Sequence, residues 1–158
     1  MLRKNPRGDY PVVHETAFVD PTAILCGLVT VGANSNIQDG VVIHSKDGAA
    51  VTVGEFTSIA HRSIVHGPCV VGNHVFIGFN SVLFNCKVAD DAVVRHNCVV
   101  DGRDIPQGFY LPSATLVNEN TDLSALDVTP QSAREFSESV ITTNVSLAEA
   151  YRRIQNEF

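Results

Sequence analysis

The 158-residue chain is poor in charge and contains no long apolar run. Charged residues make up 18% of it, below the roughly 25% of an average soluble domain, so we expect another copy of the chain to cover part of its surface. No apolar stretch approaches the roughly 20 residues of a membrane helix, and we therefore expect no membrane partner. The net charge of −6 argues against a nucleic-acid partner, because nucleic-acid affinity depends on clustered Lys and Arg.

Signals for secretion and for a disulfide framework are also missing. Residues 1–13 contain no apolar stretch of the kind found in a signal peptide, so we predict a cytoplasmic protein. The four cysteines, Cys26, Cys69, Cys86 and Cys98, show no CxxC spacing. In a reducing compartment this favours free thiols. The length suits one domain with a full core, and we predict a single domain over residues 1–158.

Aliphatic residues return every six positions through two thirds of the chain. They are Val13, Val19, Leu25, Val31, Ile37, Ile43, Val53, Ile59, Val65, Val71, Ile77, Leu83, Val88, Val94 and Val100. The residue two positions earlier is usually small, and glycine often follows directly. This period is typical of a parallel β-helix, in which three short strands form one triangular coil of about eighteen residues. The fifteen positions predict about five coils.

Three segments follow from this pattern. We predict a left-handed parallel β-helix of hexapeptide repeats over residues 11–104, an extended strap over 105–128 and a C-terminal α-helix over 129–157. The helix is expected because Thr129 suits a cap, Pro130 suits the first turn, and apolar residues follow at helical spacing. The fold class is therefore mainly β. A β-sandwich, the alternative, explains a six-residue period poorly.

Two histidines are predicted to stack on one outward face. Residues one coil apart lie above one another at the roughly 4.8 Å spacing of paired strands. His44 and His66 are 22 residues apart, which is one coil plus a slip of four residues in HSKDGAAVTVG. Two imidazoles at that distance can share one metal ion. His61 belongs to the preceding repeat and hence to a neighbouring face, so it cannot easily join them within one chain.

A homotrimer would bring the three imidazoles together. If three prisms pack about a threefold axis, His61 of one copy can meet His44 and His66 of the next. Three histidines with an open fourth position lower the pKa of a zinc-bound water to about 7. Exposed surface imidazoles are the alternative interpretation. The remaining histidines fit no such cluster and are interpreted as surface residues: His14, His74 and His96.

Four segments resemble the γ-class carbonic anhydrases. They are NIQDGVVIH at 36–44, IAHRSIVHGP at 59–68, VGNHVFIGFNSVLFNCKV at 71–88 and TNVSLAEAYRR at 143–153. The resemblance covers most of the chain. It implies a carbonate dehydratase, a lyase that uses a metal-bound hydroxide to convert carbon dioxide reversibly to bicarbonate at trimer interfaces. It also implies Zn²⁺ as the cofactor, with Fe²⁺ or Co²⁺ as alternatives, because a set of imidazoles accepts all three.

The same resemblance assigns roles to individual residues. The metal ligands are His44 and His66 from one subunit and His61 from its neighbour. The catalytic positions are Gln38 beside the metal-bound water, Asn144 for carbon dioxide and Asp47 for proton transfer, although Asp47 suits a turn in KDG equally well. Asn36, Asp39 and Cys26 surround the site. Asp39 lies one coil below His61 and would orient that ring.

The chain departs from the family pattern at one place. The family carries an arginine one coil below the first ligand and an aspartate two positions later, where this chain has Cys26 and Leu28. A thiol offers neither the charge nor the paired donors that bind bicarbonate. The alternative function is therefore a catalytically weak or inactive homologue with a metal-binding or assembly role. An acyltransferase is disfavoured, because the four-residue slip is too short to build an acyl-donor tunnel.

Overall fold

The computed structural model describes residues 1–45 and 47–155, and it consists of parallel strands followed by one long α-helix. In chain order the strands are β1 (Leu2–Arg3), β2 (Val12–Val13), β3 (Phe18–Val19), β4 (Ile24–Cys26), β5 (Val29–Val31), β6 (Asn36–Ile37), β7 (Val42–His44), β8 (Val51–Val53), β9 (Ser58–Ile59), β10 (Ile64–Val71), β11 (Phe76–Ile77), β12 (Val82–Val88), β13 (Val93–Val94), β14 (Val99–Asp101), β15 (Tyr110–Leu111) and β16 (Leu116–Val117). A short 3-10 turn at Leu123–Ala125 precedes the helix α1 (Gln131–Gln155). The predicted fold class, mainly β with a parallel β-helix and a C-terminal helix, is confirmed.

Two faces of the solenoid matter for function. The His44 face is formed by β1, β4, β7, the first residues of β10 and β12, β14 and β16. The helix face is formed by β3, β6, β9, β11, β13 and β15, and α1 packs across it. Phe18 stacks on Tyr151 with ring centroids 5.1 Å apart, and the ring of Phe76 meets that of Phe136 edge to face at 5.6 Å.

The six-residue repeat fills the interior because its aliphatic residue and the small residue two positions earlier are both buried. The aliphatic column is fully buried, as at Ile37, Ile59 and Ile77. Two of the small residues two positions earlier donate hydrogen bonds to backbone carbonyls at the corners of the solenoid. The hydroxyl of Ser35 donates to the carbonyl of Gly54 at 2.7 Å, and that of Thr57 donates to the carbonyl of Gly72 at 2.7 Å. A larger side chain in this column would have no room. The small residues thus satisfy corner carbonyls that would otherwise be buried without a partner.

The β-helix continues one turn beyond the predicted end. Ile105, Leu111 and Val117 are buried in the same core as the earlier aliphatic residues. Strand β15 pairs with β13, and β16 pairs with β14. The solenoid therefore has about six coils, and residues 105–117, predicted as part of an extended strap, belong to it. The step from Val100 to Ile105 is five residues rather than six, and Arg103 and Phe109 stand two positions before Ile105 and Leu111, where small residues are expected; together these departures hid the continuation.

The helix begins two residues later than predicted. The backbone N–H and the hydroxyl of Thr129 both donate to the carbonyl of Gly108, at 2.8 and 2.7 Å. Thr129 thus ties the incoming chain to the last coil, and α1 begins at Gln131. Predicted helix residues 156 and 157 lie outside the described residues. Within the described part of the chain, no helix has the length and apolar character needed to span a membrane.

Candidate metal centre

His44 and His66 lie one above the other on the His44 face. Strands β7 and β10 pair with His44 directly beside His66. Their ring centroids are 5.2 Å apart and the rings are tilted by 32°. The four additional residues between β7 and β8 therefore do not shift the pairing of the strands on this face. Phe84 continues the column on the next coil, with its ring centroid 5.3 Å from that of His66.

Both imidazoles are suited to bind a cation. The Nδ1 atom of His66 lies 3.1 Å from the carbonyl oxygen of Gly67. A carbonyl only accepts, so Nδ1 carries the proton and the Nε2 lone pair stays available. Burial, and then the charges of His66 and Arg3, lower the pKa of His44 from its ordinary value. His44 is therefore neutral at pH 7, the form that ligates a metal.

His61 belongs to a different part of the surface, at the edge of the helix face. Its Nδ1 atom is 3.8 Å from Oδ1 of Asp39, and both side chains are largely exposed. This distance exceeds that of a hydrogen bond, so Asp39 lies beside His61 without bonding to it in the single chain. The ring of Phe79 also lies beside that of His61, with the centroids 5.2 Å apart.

A single chain does not complete the set of ligands. Within residues 1–45 and 47–155, no group of three or more His, Cys, Asp or Glu side chains is placed to hold a metal ion. One chain supplies two stacked imidazoles on one face and a third imidazole on another. These residues fit a metal ion shared between copies of the chain, with two ligands from one copy and one from the next.

A cleft between α1 and the helix face contains the predicted polar residues. It has a volume of about 320 Å³ and is lined by Gln38, Asp39, His61, Phe79 and Asn144, among others. Gln38 and Asn144 come from distant parts of the sequence, yet Nε2 of Gln38 donates to Oδ1 of Asn144 at 3.3 Å. The polar residues of the first coils and of the helix therefore share one pocket beside His61.

Two oxygen atoms in this cleft are buried without a partner. Nδ2 of Asn36 donates to the backbone carbonyl of Asn144 at 3.2 Å. Neither Oδ1 of Asn36 nor Oε1 of Gln38 has a hydrogen-bond partner among the described residues. Buried acceptors are normally bonded. Both oxygens are therefore acceptors that the described residues leave unused.

Two of the predicted site residues, Cys26 and Asp47, do not line the cleft. Cys26 lies one coil below His44, is 5% exposed, and its Sγ atom lies 3.7 Å from the carbonyl of Lys4. The N-terminal segment therefore covers Cys26, which the resemblance places among the residues around the site. Asp47 is exposed in the turn between β7 and β8.

Arg3, a cation near His44, was not predicted from the sequence. Arg3, Cys26 and His44 occupy the same position on successive coils of the His44 face. Strand β1 pairs with β4 so that Arg3 lies directly below Cys26, and Arg3 contributes to the lowered pKa of His44. The arginine was not recognised because it precedes Cys26 by 23 residues rather than eighteen. The additional residues form a turn in which Oδ1 of Asn5 accepts from the backbone N–H groups of Arg7 and Asp9, both at 3.0 Å.

Comparison with known proteins agrees with the fold. Residues 50–85 match the model of the family described as bacterial transferase hexapeptide (six repeats). Two solved structures have a TM-score of 0.72: a hexapeptide transferase family protein from Anaplasma phagocytophilum, 21% identical and covering 95% of this chain and 97% of that one, and a putative acetyltransferase from Bacillus cereus, 17% identical and covering 97% of each. At these identities the likeness extends to the fold alone.

Two curated relatives are more similar in sequence. A carbonic anhydrase from Methanosarcina thermophila is 34% identical, over 94% of this chain and 77% of that protein. A carboxysome assembly protein, CcmM, from Nostoc sp. is 33% identical over 88% of this chain, which spans only 31% of that longer protein. The chain belongs to the γ-class carbonic anhydrase family of hexapeptide-repeat proteins.

Proposed function

We propose that the protein is a γ-type carbonic anhydrase, a carbonate dehydratase that interconverts carbon dioxide and bicarbonate at the interfaces of a homotrimer. The observation that carries this proposal is the stacking of His44 on His66, with His61 on a separate face of the same chain. The similarity to the carbonic anhydrase from Methanosarcina thermophila supports it. A cytoplasmic location remains part of the proposal.

His44, His66 and the neighbour's equivalent of His61 would hold the metal ion. When bound there, Zn²⁺, Fe²⁺ or Co²⁺ would supply a hydroxide nucleophile at neutral pH by lowering the pKa of a bound water. The chain's own contribution is to hold the ligands in place. Gly67 fixes the proton of His66 on Nδ1, and Asp39 places negative charge beside His61.

The cleft residues would handle the substrate and its proton. The unpartnered Oε1 of Gln38 accepts a hydrogen bond from a hydroxyl group in the cleft and so orients it. Phe79 and Tyr151 offer apolar surface to carbon dioxide, and Asn144 lies next to them. Asp47 or buffer would carry the proton away. Arg3 would supply the positive charge that Cys26 lacks, near the anionic product.

The surface of the His44 face supports the homotrimer. An outward column of aliphatic side chains runs beside the histidines: Ile24, Val42, Ile64, Val82, Val99 and Leu116. Ile64 is 41% exposed and Leu116 is 60% exposed in the single chain. A second copy that brings its His61 to this face would cover the column and gain the free energy of burying it.

An assembly or metal-binding role with weak or no catalysis is the second candidate. Cys26 favours the assembly or metal-binding role, because it stands one coil below His44 where the family has an arginine. The similarity to the carboxysome assembly protein from Nostoc sp. agrees with such a role.

A hydration assay separates the two candidates. The protein is purified anaerobically, loaded with Zn²⁺ or Fe²⁺, and tested by stopped-flow with a pH indicator. We expect kcat/KM of roughly 10⁴ M⁻¹ s⁻¹ or more, the lower end for enzymes, and background rates for the metal-free protein. A metal-loaded trimer with only the background rate would reject the enzyme and leave the assembly role.

A further inference from the structure

A continuous line of side-chain hydrogen bonds leads from the helix face into the cleft. Nδ2 of Asn144 donates to Oγ of Ser58 at 2.8 Å, and Oδ1 of Asn144 accepts from Nε2 of Gln38 at 3.3 Å. Ser58 is 2% exposed and Asn144 is 5% exposed, so water does not compete for these groups. Each residue in the line therefore constrains the next.

The orientation of each carboxamide follows from its neighbour. A carboxamide has one accepting oxygen and one donating nitrogen. Ser58 accepts from the nitrogen of Asn144, and the oxygen of Asn144 accepts from the nitrogen of Gln38. The oxygen of Gln38, a residue that lines the cleft, is buried and has no partner among the described residues.

We propose that Ser58 is a positioning residue for the hydration reaction, acting through Asn144 to keep the Gln38 oxygen, rather than its nitrogen, directed into the cleft. This inference rests on the proposed function. An oxygen at that place accepts the proton of a hydroxyl group and leaves the lone pairs of that group free to attack carbon dioxide. A nitrogen would donate to one of those lone pairs and make the hydroxyl a weaker nucleophile.

The same geometry changes the role expected for Asn144. Both ends of its carboxamide are engaged within the chain, and Asn36 holds its backbone carbonyl. Asn144 therefore acts through Gln38 instead of using its amide on the substrate. The contact brings together Ser58, Gln38 and the helix, which sequence spacing alone does not connect.

The test compares Ser58→Ala, Ser58→Thr, which keeps the hydroxyl, and Ser81→Ala. Ser81 is a matched control, a buried serine whose hydroxyl donates to the carbonyl of Arg95 at 3.0 Å, remote from the relay. The first readout is the ¹⁵N NMR signal of the Gln38 side-chain amide in metal-free trimer. The second is kcat and KM for hydration by the metal-loaded trimer.

We expect Ser58→Ala to shift the Gln38 amide signal and to lower kcat about 10-fold, the loss typical when a supporting hydrogen bond is removed from a site, with little change in KM. Ser58→Thr should retain both properties, as should Ser81→Ala. An unmoved Gln38 signal in folded Ser58→Ala would overturn the relay. If the wild-type protein has no hydration activity, the proposed function fails, whereas the NMR readout still decides whether Ser58 orients Gln38.

Discussion

Replacing His66 by alanine should reduce carbon dioxide hydration at least about 100-fold, because removal of residues that merely support a metal ligand already costs 10- to 100-fold. His66 supplies one of two stacked imidazoles on the His44 face. Without His66, His44 is the one imidazole of the pair that remains on this face. Together with His61 from a neighbour it supplies two ligands instead of three. Stopped-flow hydration assays and elemental analysis of the same sample should show activity and bound metal lost together.

His14→Ala is the matched control for this substitution. His14 is exposed, and its Nδ1 atom contacts Thr16 two residues along the chain, 2.9 Å from the hydroxyl. We expect this variant to keep the metal content and the rate of the wild-type protein. Full hydration activity in a trimeric His66→Ala protein would remove His66 from the site and with it the stacked pair.

Two inactive variants should restore activity when they are combined in one trimer. His61→Ala keeps the His44 and His66 pair, and His66→Ala keeps His61. In a mixed trimer, the intact pair of the first variant meets the intact His61 of the second. In every trimer that contains both variants, one interface in three carries all three imidazoles, so about one third of the wild-type activity should return in the mixed trimers.

The measurement uses coexpression with two different affinity tags and purification of trimers that carry both. Each variant alone serves as its own control, and both should be near the background rate. Equal activity in the mixed and unmixed trimers would show that His61 and the pair do not serve a shared site. Such a result would contradict an intersubunit centre even if the metal is bound.

The stacking of His44 on His66 was predictable because the solenoid converts sequence spacing into height. Only the slip between β7 and β8 had to be counted, and the pairing of the strands in register follows from it. The sixth coil was not predicted because Arg103 and Phe109 replace the small residues that precede the aliphatic ones elsewhere. Ile105, Leu111 and Val117 nevertheless keep the aliphatic character of the inward column.

Other features of the site depend on contacts that spacing does not encode. Ser58 and Asn144 are 86 residues apart in the chain, and their hydrogen bond exists only because α1 packs on the helix face. Arg3 enters the column of His44 through a turn built on Asn5, so its height along the solenoid cannot be counted from the repeat. In both cases local polar contacts, rather than the hydrophobic period, determine the position.

The most direct test of the intersubunit metal centre is a crystal structure of the metal-loaded protein with data collected at the absorption edge of the bound metal. We predict an anomalous peak between the imidazoles of His44 and His66 of one copy and that of His61 of an adjacent copy, repeated at each interface of a trimer. A monomer, or a trimer in which these three rings lie apart and the peak is elsewhere, would contradict the account.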